Sequence, residues 1–416
     1  MDNVRPPHAH RRVRLAPARQ QHAPARLRVL PWQAREFILE PLKAEVEPEP
    51  RGWRRHLPLL LVMAVVLVWR PHGLFGAPPA HARMAATSLP LLRVPSNGGM
   101  ALCAVLVLVI AAMPLVAGEY TLVLGVDMLL FALFAASLGL VIGPGGMGSF
   151  GHAAYFGLGA YGAALAAKAG AGLWLACTSG VALAATAALV FGWFSVRLAG
   201  TYMAMLTLAF AQITWSVVFQ WDGVTGGSNG LTGVWPPEWL ADRAAFYWFV
   251  CAVVLLALAL CAWLVFTPLG YAVRAARDSA VKARAIGLSP AALQWRVFTL
   301  AGALAGVAGA LYAFSKGSVA PDALSIPRSV DALVMVLLGG VETVSGAVVG
   351  AIVFKALNIW LVSQTDWSKL VLGAIVVLIV VAFPKGIVGM IESIRARRES
   401  QSSKSAILAS RIETAE

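Results

Sequence analysis

The sequence is poor in charge. Only 13% of its 416 residues are Asp, Glu, Lys or Arg, whereas soluble domains carry about 25%. The charges are unevenly spread, and long stretches without any include 128–167, 169–196, 198–221, 244–273 and 297–315. Crossing the hydrocarbon core of a bilayer takes about 20 apolar residues. Each stretch therefore has room for one membrane span, or two in 128–167, and the fold class is all-α, a polytopic α-helical membrane protein surrounded by lipid.

Several kinds of site are missing as well. The four cysteines lie in apolar runs without C-x-x-C spacing, which argues against a metal or redox site. The chain has no G-x-x-x-x-G-K-[ST] phosphate loop, no cluster of metal ligands and no Ser/His/Asp set in a soluble pocket. We therefore expect no catalytic residues, no cofactor and no metal, and a protein that is not an enzyme. The net charge of +13 lies in loops and tails, so it does not indicate nucleic-acid binding.

One glycine-rich stretch formally matches the dinucleotide-binding pattern G-x-G-x-x-G, from Gly143 to Gly148. That pattern requires a strand before it, a helix after it and an acidic residue about 20 positions on. Here the flanking segments are both apolar spans, and the next acidic residue is Asp222. We interpret the stretch as a sharp turn between packed spans, or as backbone unwound at membrane depth.

Charge and turn residues predict about ten membrane segments, at 99–117, 120–142, 149–167, 172–196, 202–219, 246–266, 293–315, 329–341, 345–363 and 369–383. Two of them, 329–341 and 369–383, are too short for a comfortable crossing, and we expect half-helices or tilted pieces buried against neighbours. The basic loop 267–292 is expected in the cytoplasm and the acidic loop 220–244 outside. Alternation then places both ends of the unit 99–390, and the tail 391–416, in the cytoplasm.

The first 98 residues do not fit this pattern. Residues 1–56 are rich in Arg, Pro, His and Ala, and we expect them to be disordered. The apolar run 57–69 is too short to span easily, and LLVMAVVLVWRPHGLFG at 60–76 resembles VVLIVVAFPKGIVG at 376–389. Our hypothesis is that 1–98 is a non-native extension in which this run mimics the closing helix of a similar protein, with the functional chain starting near Met84. An amphipathic surface anchor is the alternative.

Small residues recur at helical spacing, as in Gly302, Gly306 and Ala310, in Gly346 and Gly350, and in Gly157, Gly159 and Gly162. Helices in lipid lack a hydrophobic drive toward each other, and small residues let their backbones approach closely. We interpret these faces as helix packing, with the wall of a substrate path as the alternative.

His152 is the only potentially charged side chain within 128–167, and it lies at the start of a span. An ionisable group there is a functional candidate by default, although a carbonyl and a hydroxyl can satisfy a neutral histidine. Structural packing and a gating or path role both remain open. The candidates for a substrate path are Ser149, His152, Tyr155 and Gly159. Asp127 is assigned no role.

The segment TPLGYAVRAARDSAVKARAIGLSP at 267–290 is the most informative polar stretch. It combines small helix-forming alanines with basic side chains, and Gly287 followed by Ser289-Pro290 is a helix stop. A short helix of this kind fits a groove of a cytoplasmic partner, with its arginines on carboxylates at the rim. An ordinary positively charged loop is the alternative.

The chain resembles the LivM-type permease of branched-chain amino acid ABC importers over roughly 99–390. The blocks that carry the resemblance, in the family's order, are SFGHAAYFGLGAYGAAL (149–165), LAGTYMAMLTLAFAQI (198–213), TGGSNGLTGV (225–234), TPLGYAVRAARDSAVKARAIGLSP (267–290), FTLAGALAGVAGALYAF (298–314), SVDALVMVLLGG (329–340) and FPKGIVG (383–389).

The resemblance implies a permease subunit in a bacterial inner membrane. Its partners would be a LivH-type second permease, two cytoplasmic ABC ATPases and a periplasmic binding protein, and its substrates leucine, isoleucine and valine. The coupling helix would fall on 274–289, with the ATPase-coupling residues Arg274, Arg277, Asp278, Lys282, Arg284 and Gly287. The loop facing the binding protein would contain Thr225, Gly226, Gly227, Asn229 and Gly230.

The sequence departs from the family pattern at Ser137–Gly139, where the family commonly has Asn, and at Glu342, where a small residue is usual. Substrate identity therefore stays open, and a urea or short-chain amide permease is an alternative. A carrier that works alone on an ion gradient is another, with only Asp127, Asp331 and Glu342 as acidic residues for the ion.

Overall fold

The computed structural model describes residues 108–116, 118–341, 343–365, 367–383 and 386–390, together with Val62, Val65 and Val66. These residues belong to one compact unit, Leu57–Glu416. The expectations for 1–98 and for the tail 391–416 lie outside the described residues, apart from the three valines, which are helical.

The described part of the chain is helical almost throughout. Its α-helices are α1 (Glu119–Ile142), α2 (His152–Lys168), α3 (Leu173–Ser195), α4 (Thr201–Gln220), α5 (Asp222–Thr225), α6 (Arg243–Phe266), α7 (Pro268–Asp278), α8 (Ala280–Ala285), α9 (Pro290–Lys316), α10 (Ile326–Gly339), α11 (Val344–Gln364) and α12 (Ser368–Ala382). Short 3₁₀ turns occur at Met113–Leu115, Gly227–Asn229, Glu238–Leu240 and Pro321–Leu324. The all-α membrane fold expected from the sequence is confirmed.

The count of spans is lower than the ten segments predicted. Among the described residues, seven helices are long and apolar enough to cross a membrane, namely α1, α3, α4, α6, α9, α11 and Ser368–Met390. Helices α2 and α10, with 17 and 14 residues, are shorter. The expectation of a short piece holds for 329–341, which lies in α10, and for 369–383, where α12 has 15 residues and ends at Ala382. Most of 99–117 lies outside the described residues.

Helix ends follow the local sequence. The Asp242 carboxylate caps α6 by accepting a hydrogen bond from the N–H three residues on, at 3.0 Å. The Ser289 hydroxyl caps α9 in the same way at 3.3 Å, and Pro290 takes the first helical position. At the other end of α9, Gly317 has a φ of 64°, a left-handed conformation that costs glycine little. Between these signals α9 runs unbroken over 27 residues.

Helix α2 lies in the core, packs on α3 and α9, and touches α1 through side chains such as the rings of Phe134 and Phe156. A Cβ atom at Gly159 would meet the backbone of Gly306 on α9, and one at Gly162 would lie 2.8 Å from Gly180 Cα on α3. Gly350 on α11 likewise lies against the backbone of α10. The prediction that these small residues serve close helix packing is confirmed.

Helix α9 links two parts of the fold that matter for function. At its start it follows α7 and α8, and at its end it leads into β2 (Ser318–Val319). Strand β2 pairs antiparallel with β1 (Leu231–Thr232), with Leu231 opposite Val319. This ribbon joins the end of α9 to the loop between α4 and α6, so α7 and α8 lie at one end of α9 and the loop at the other.

Candidate functional site

The segment expected to dock a cytoplasmic partner, which we call the coupling element (Pro268–Ala285), is two helices and not one. Helix α7 ends at Asp278, and Ser279 breaks the helix with a φ of −155° and caps α8 through its hydroxyl. The helix stop predicted at Gly287 is confirmed, since Gly287 has a φ of 83°. The break at Ser279 follows from its capping hydroxyl, a signal that the sequence analysis did not use.

Arg277 points into the protein from α7. Its Nη1 donates a hydrogen bond of 2.7 Å to the carbonyl oxygen of Gly143, and its side chain is only 21% exposed. The guanidinium also pairs with Asp278 at 3.1 Å. From the sequence we expected the arginines of this segment to meet carboxylates of a partner, whereas Arg277 donates to a carbonyl of its own chain.

Arg274 is also used internally. Its Nε donates to the Gly270 carbonyl at 3.2 Å, its Nη2 donates to the Val265 carbonyl at the end of α6, and its guanidinium lies over the Tyr271 ring at 4.8 Å. Partial burial lowers the pKa of this guanidinium from its ordinary value, which leaves arginine charged at neutral pH. Arg274 therefore fixes α7 to the end of α6.

The other side of the coupling element is open. Val281 and Ile286 are 71% and 72% exposed, and Lys282, Arg284 and Gly287 are exposed beside them. Exposed apolar side chains flanked by cations are typical of a surface that another protein covers. The structure thus divides the predicted coupling residues into an inward pair, Arg274 and Arg277, and an exposed set, which consists of Asp278, Lys282, Arg284 and Gly287.

The glycine-rich stretch after α1, which we call the glycine loop (143–151), lies directly against α7. Gly146 has a φ of 63°, and a Cβ there would meet the aliphatic stem of Arg277. A Cβ at Gly143 would meet the Val341 carbonyl at the end of α10. The interpretation of this stretch as a sharp turn is confirmed, and its close contacts explain why glycine is needed there.

His152 begins α2 and is buried beside the end of α1. Its Nε2 lies 2.9 Å from Ser137 Oγ, and the Ser137 hydroxyl donates to the Phe134 carbonyl at 2.7 Å. A hydroxyl has one proton, so while Ser137 donates it to the Phe134 carbonyl a neutral His152 donates from Nε2, and Nδ1 is then an acceptor. No described residue hydrogen-bonds to this Nδ1. Ser137 is a partner that the sequence analysis missed, because the two residues lie on different helices.

The other path candidates are buried as well. Ser149 is in the glycine loop, and its hydroxyl has no hydrogen-bond partner among the described residues. Tyr155 packs on Phe298 with ring centroids 5.7 Å apart, and Gly159 contacts α9 backbone. All four candidates lie on α2 or just before it, and in this conformation their neighbours are other helices.

The loop between α4 and α6 carries the TGGSNG motif at the ribbon end of α9. Gly226, Gly227 and Gly230 have φ values of 73°, 53° and 69°, so the loop is tightly turned. Thr225 is buried, whereas Asn229 is exposed. A groove of 420 Å³ lies beside the loop and includes Trp215, Phe219, Ser228, Asp322 and Ser325 in its lining.

Of the acidic residues available to an ion carrier, Asp127 is paired with a cation, whereas Asp331 lies near cations without forming an ion pair among the described residues. Asp127, to which the sequence analysis gave no role, accepts a hydrogen bond from Lys316 Nζ at 2.7 Å. Asp331 lies within electrostatic reach of Arg328 and Lys355. Glu342 lies outside the described residues. Charges this far apart in sequence give no local signal, so only the fold brings them together.

Comparison with known proteins agrees with the membrane-spanning helical fold, since the proteins that match are membrane permeases. The model of the family described as "Branched-chain amino acid transport system / permease component" matches residues 120–380. The high-affinity branched-chain amino acid transport system permease protein LivM of Escherichia coli K12 is 28% identical over 317 residues, 70% of this chain and 74% of that protein. LivM of Salmonella typhimurium LT2 is 26% identical over 313 residues, 68% of this chain and 74% of that protein.

A second kind of permease protein is also similar to this chain. The LivH permease protein of Escherichia coli K12 is 25% identical over 284 residues, which are 62% of this chain and 91% of that protein. No solved structure gives a significant match. The family model covers well over half of the chain, including α1 to α11 and the coupling element. The protein therefore belongs to the family of permease components of branched-chain amino acid transport systems.

Proposed function

We propose that this protein is one of two permease subunits of an ATP-driven importer for leucine, isoleucine and valine in a bacterial inner membrane. The second subunit would be LivH-type, two cytoplasmic ATPases would supply the energy, and a periplasmic binding protein would deliver the substrate. The observation that carries the proposal is the coupling element, which in a chain of this family presents exposed apolar and basic side chains at one end of α9.

The outward side of α8 is the proposed ATPase contact. Val281 and Ile286 are apolar and exposed, and such side chains gain free energy when a partner buries them. Lys282 and Arg284 lie beside them and are suited to carboxylates at the rim of a groove. This chain would hydrolyse no nucleotide itself.

The inward side of α7 is the proposed transmission contact. Closure of the ATPases would displace α8 and α7 together, and Arg277 would carry that displacement to Gly143 in the glycine loop. Since the loop also lies against the end of α10, α1 and α10 would move with it. The path would then open alternately to each side.

The loop with the TGGSNG motif is proposed to face the binding protein, which puts both ends of the unit 99–390 in the cytoplasm. This orientation agrees with the basic residues of the coupling element, since basic loops favour the cytoplasmic side. Ser149, His152, Tyr155 and Gly159 remain the proposed path residues. Because they are buried between helices, they would line a path only when α2 separates from its neighbours.

The test is uptake by the reconstituted complex of both permeases and both ATPases, with loaded binding protein outside. We expect ATP-dependent leucine uptake, and we expect Val281→Asp combined with Ile286→Asp to abolish ATPase binding. Val224→Asp, at an exposed residue near the ribbon end of α9, is the matched control and should leave binding unchanged.

Two results would refute the proposal. One is ion-driven accumulation of leucine by this chain alone in lipid, which would make it a carrier. The other is thermal stabilisation of the cognate binding protein by urea or a short-chain amide and not by leucine, isoleucine or valine, which would assign a different substrate.

A further inference from the structure

Charged side chains from four helices lie near one another in the helical part of the fold, two of them over one aromatic ring. We call this group the interior charge cluster, and it consists of Asp127 on α1, Lys316 on α9, Arg328 and Asp331 on α10, and Lys355 on α11, with Arg328 and Lys355 over the ring of Phe131. Ionisable residues in spans are costly and are functional candidates by default.

Lys355 is the most deeply placed member. It is the twelfth of the 21 residues of α11, so at 1.5 Å per residue it lies about 16 Å along a helix of about 30 Å, near the bilayer midplane. Its Nζ lies over the Phe131 ring, 3.4 Å from the centroid. No described carboxylate forms an ion pair with it, although Asp127 and Asp331 are within electrostatic reach.

The acidic members are incompletely bonded too. Asp127 uses Oδ2 for Lys316, while its buried Oδ1 has no hydrogen bond to any described residue. Asp331 is half-buried on α10 and forms no ion pair among the described residues. Arg328, one turn away, is engaged with Asp322 at 3.1 Å and lies over Phe131 at 5.2 Å.

A purely structural network would pair these charges with each other, because an unpaired charge in a low-dielectric interior is unfavourable. Here one cation rests on a ring face and one carboxylate lacks a cation within bonding distance. The group that complements both is a molecule with one carboxylate and one ammonium close together. That is the backbone of an α-amino acid in its zwitterionic form.

We infer that the interior charge cluster is a transient site for the zwitterionic backbone of the transported amino acid, in which Lys355 binds the carboxylate and Asp331 binds the ammonium. The inference rests on the proposed function and adds the part of the substrate that the membrane subunit recognises. Because Lys355 and Asp331 also attract each other, the substrate competes with an existing interaction, and its binding is weak enough for release.

The test uses the complete reconstituted importer with Lys355→Met, Lys355→Arg and Asp331→Asn. Methionine keeps most of the apolar stem over Phe131 and removes the charge, whereas arginine keeps the charge. Lys168→Met, at the exposed end of α2, is the matched control. The measurements are leucine uptake, ATP hydrolysis stimulated by loaded binding protein, and the melting temperature of the complex.

We expect Lys355→Met and Asp331→Asn to lower leucine uptake per ATP hydrolysed by about tenfold, the scale of one lost charge-assisted hydrogen bond. Stimulated hydrolysis should persist, since neither residue belongs to the coupling element. Removing an unpaired interior charge should leave the melting temperature unchanged or raise it. Lys355→Arg should restore most of the uptake, and Lys168→Met should behave like wild type.

The inference is overturned if Lys355→Met transports leucine as well as wild type does. It is also overturned if uptake, hydrolysis and melting temperature fall together, because that pattern identifies a structural role. If the wild-type importer takes up no leucine, the proposed function is refuted. That result comes from the wild-type complex alone, so it is distinct from the results with the variants.

Discussion

The contact between Arg277 and Gly143 gives the sharpest prediction for coupling. Replacing Arg277 with Ala removes the 2.7 Å hydrogen bond from the coupling element to the glycine loop. It also removes the pairing with Asp278, whose side chain is 60% exposed, and exposed pairs of this kind contribute little. The effect should therefore come from the link to the loop.

The magnitude follows from the kind of bond. A hydrogen bond from a charged donor contributes about 1.5–3 kcal/mol, and the 21% exposure of the Arg277 side chain favours the lower end of that range. A loss of about 1.5 kcal/mol corresponds to roughly a tenfold change in an equilibrium constant. Arg277→Ala should then lower, by about tenfold, the fraction of ATPase closures that move the glycine loop.

The assay is leucine uptake per ATP hydrolysed in the reconstituted complex. We expect Arg277→Ala to lower this ratio by about tenfold, for the reason just given, while ATP hydrolysis continues. Arg277→Lys should recover only part of the ratio, because lysine lacks the planar fork that reaches the carbonyl and the neighbouring carboxylate together. Arg243→Ala, which removes an exposed pair with Glu119, is the control and should not change the ratio.

An unchanged ratio in Arg277→Ala would refute the transmission contact. So would a variant complex in which hydrolysis and uptake fall equally, since that would place Arg277 in ATPase docking and not between α7 and the glycine loop.

Three further predictions concern packing and helix ends. Gly159→Ala should prevent stable assembly, measured by yield and melting temperature of the purified complex, because its Cβ would meet α9 backbone, whereas Gly172→Ala has open space around it and should be tolerated. Ser137→Ala should lower the free energy of unfolding by about 1–3 kcal/mol, because it leaves the buried His152 Nε2 without its hydrogen-bond partner; an unchanged melting temperature would contradict a stabilising role for this hydrogen bond. Gly287→Ala should destabilise the end of α8 by about 1 kcal/mol through its left-handed φ, which hydrogen exchange of that segment would detect.

The positions of the helices could be predicted from the sequence because segments that cross the hydrocarbon core must be long, apolar and nearly free of charge. The charge-free stretch 244–273 marks α6, and Gly287 with Ser289-Pro290 marks the boundary before α9. Small residues at four-residue spacing correctly indicated where helices touch, since backbone approach in lipid depends on them. The starts of α6 and α9 were each predicted three residues late, at 246 and 293, because the caps Asp242 and Ser289 set these starts and not the loss of charge.

The contacts of the site could not be predicted, because they join residues far apart in sequence. Arg277 was expected to point away from the chain, and nothing in its neighbourhood indicates that Gly143, on another helix end, accepts its hydrogen bond. Ser137 and His152 are separated by the glycine loop. A binding role for Lys355 could not be predicted from the sequence, because it depends on Phe131 and Asp331, which only the fold brings near it.

The continuity of α9 has a mechanical consequence. It contains no internal proline and rises about 40 Å over its 27 residues, more than the thickness of the hydrocarbon core. A single unbroken helix thus connects the coupling element to the ribbon beside the TGGSNG turn. Substrate delivery at the ribbon end and ATPase closure at the coupling element would therefore act on the same helix. Because α9 has no hinge, a displacement at one end would be transmitted to the other.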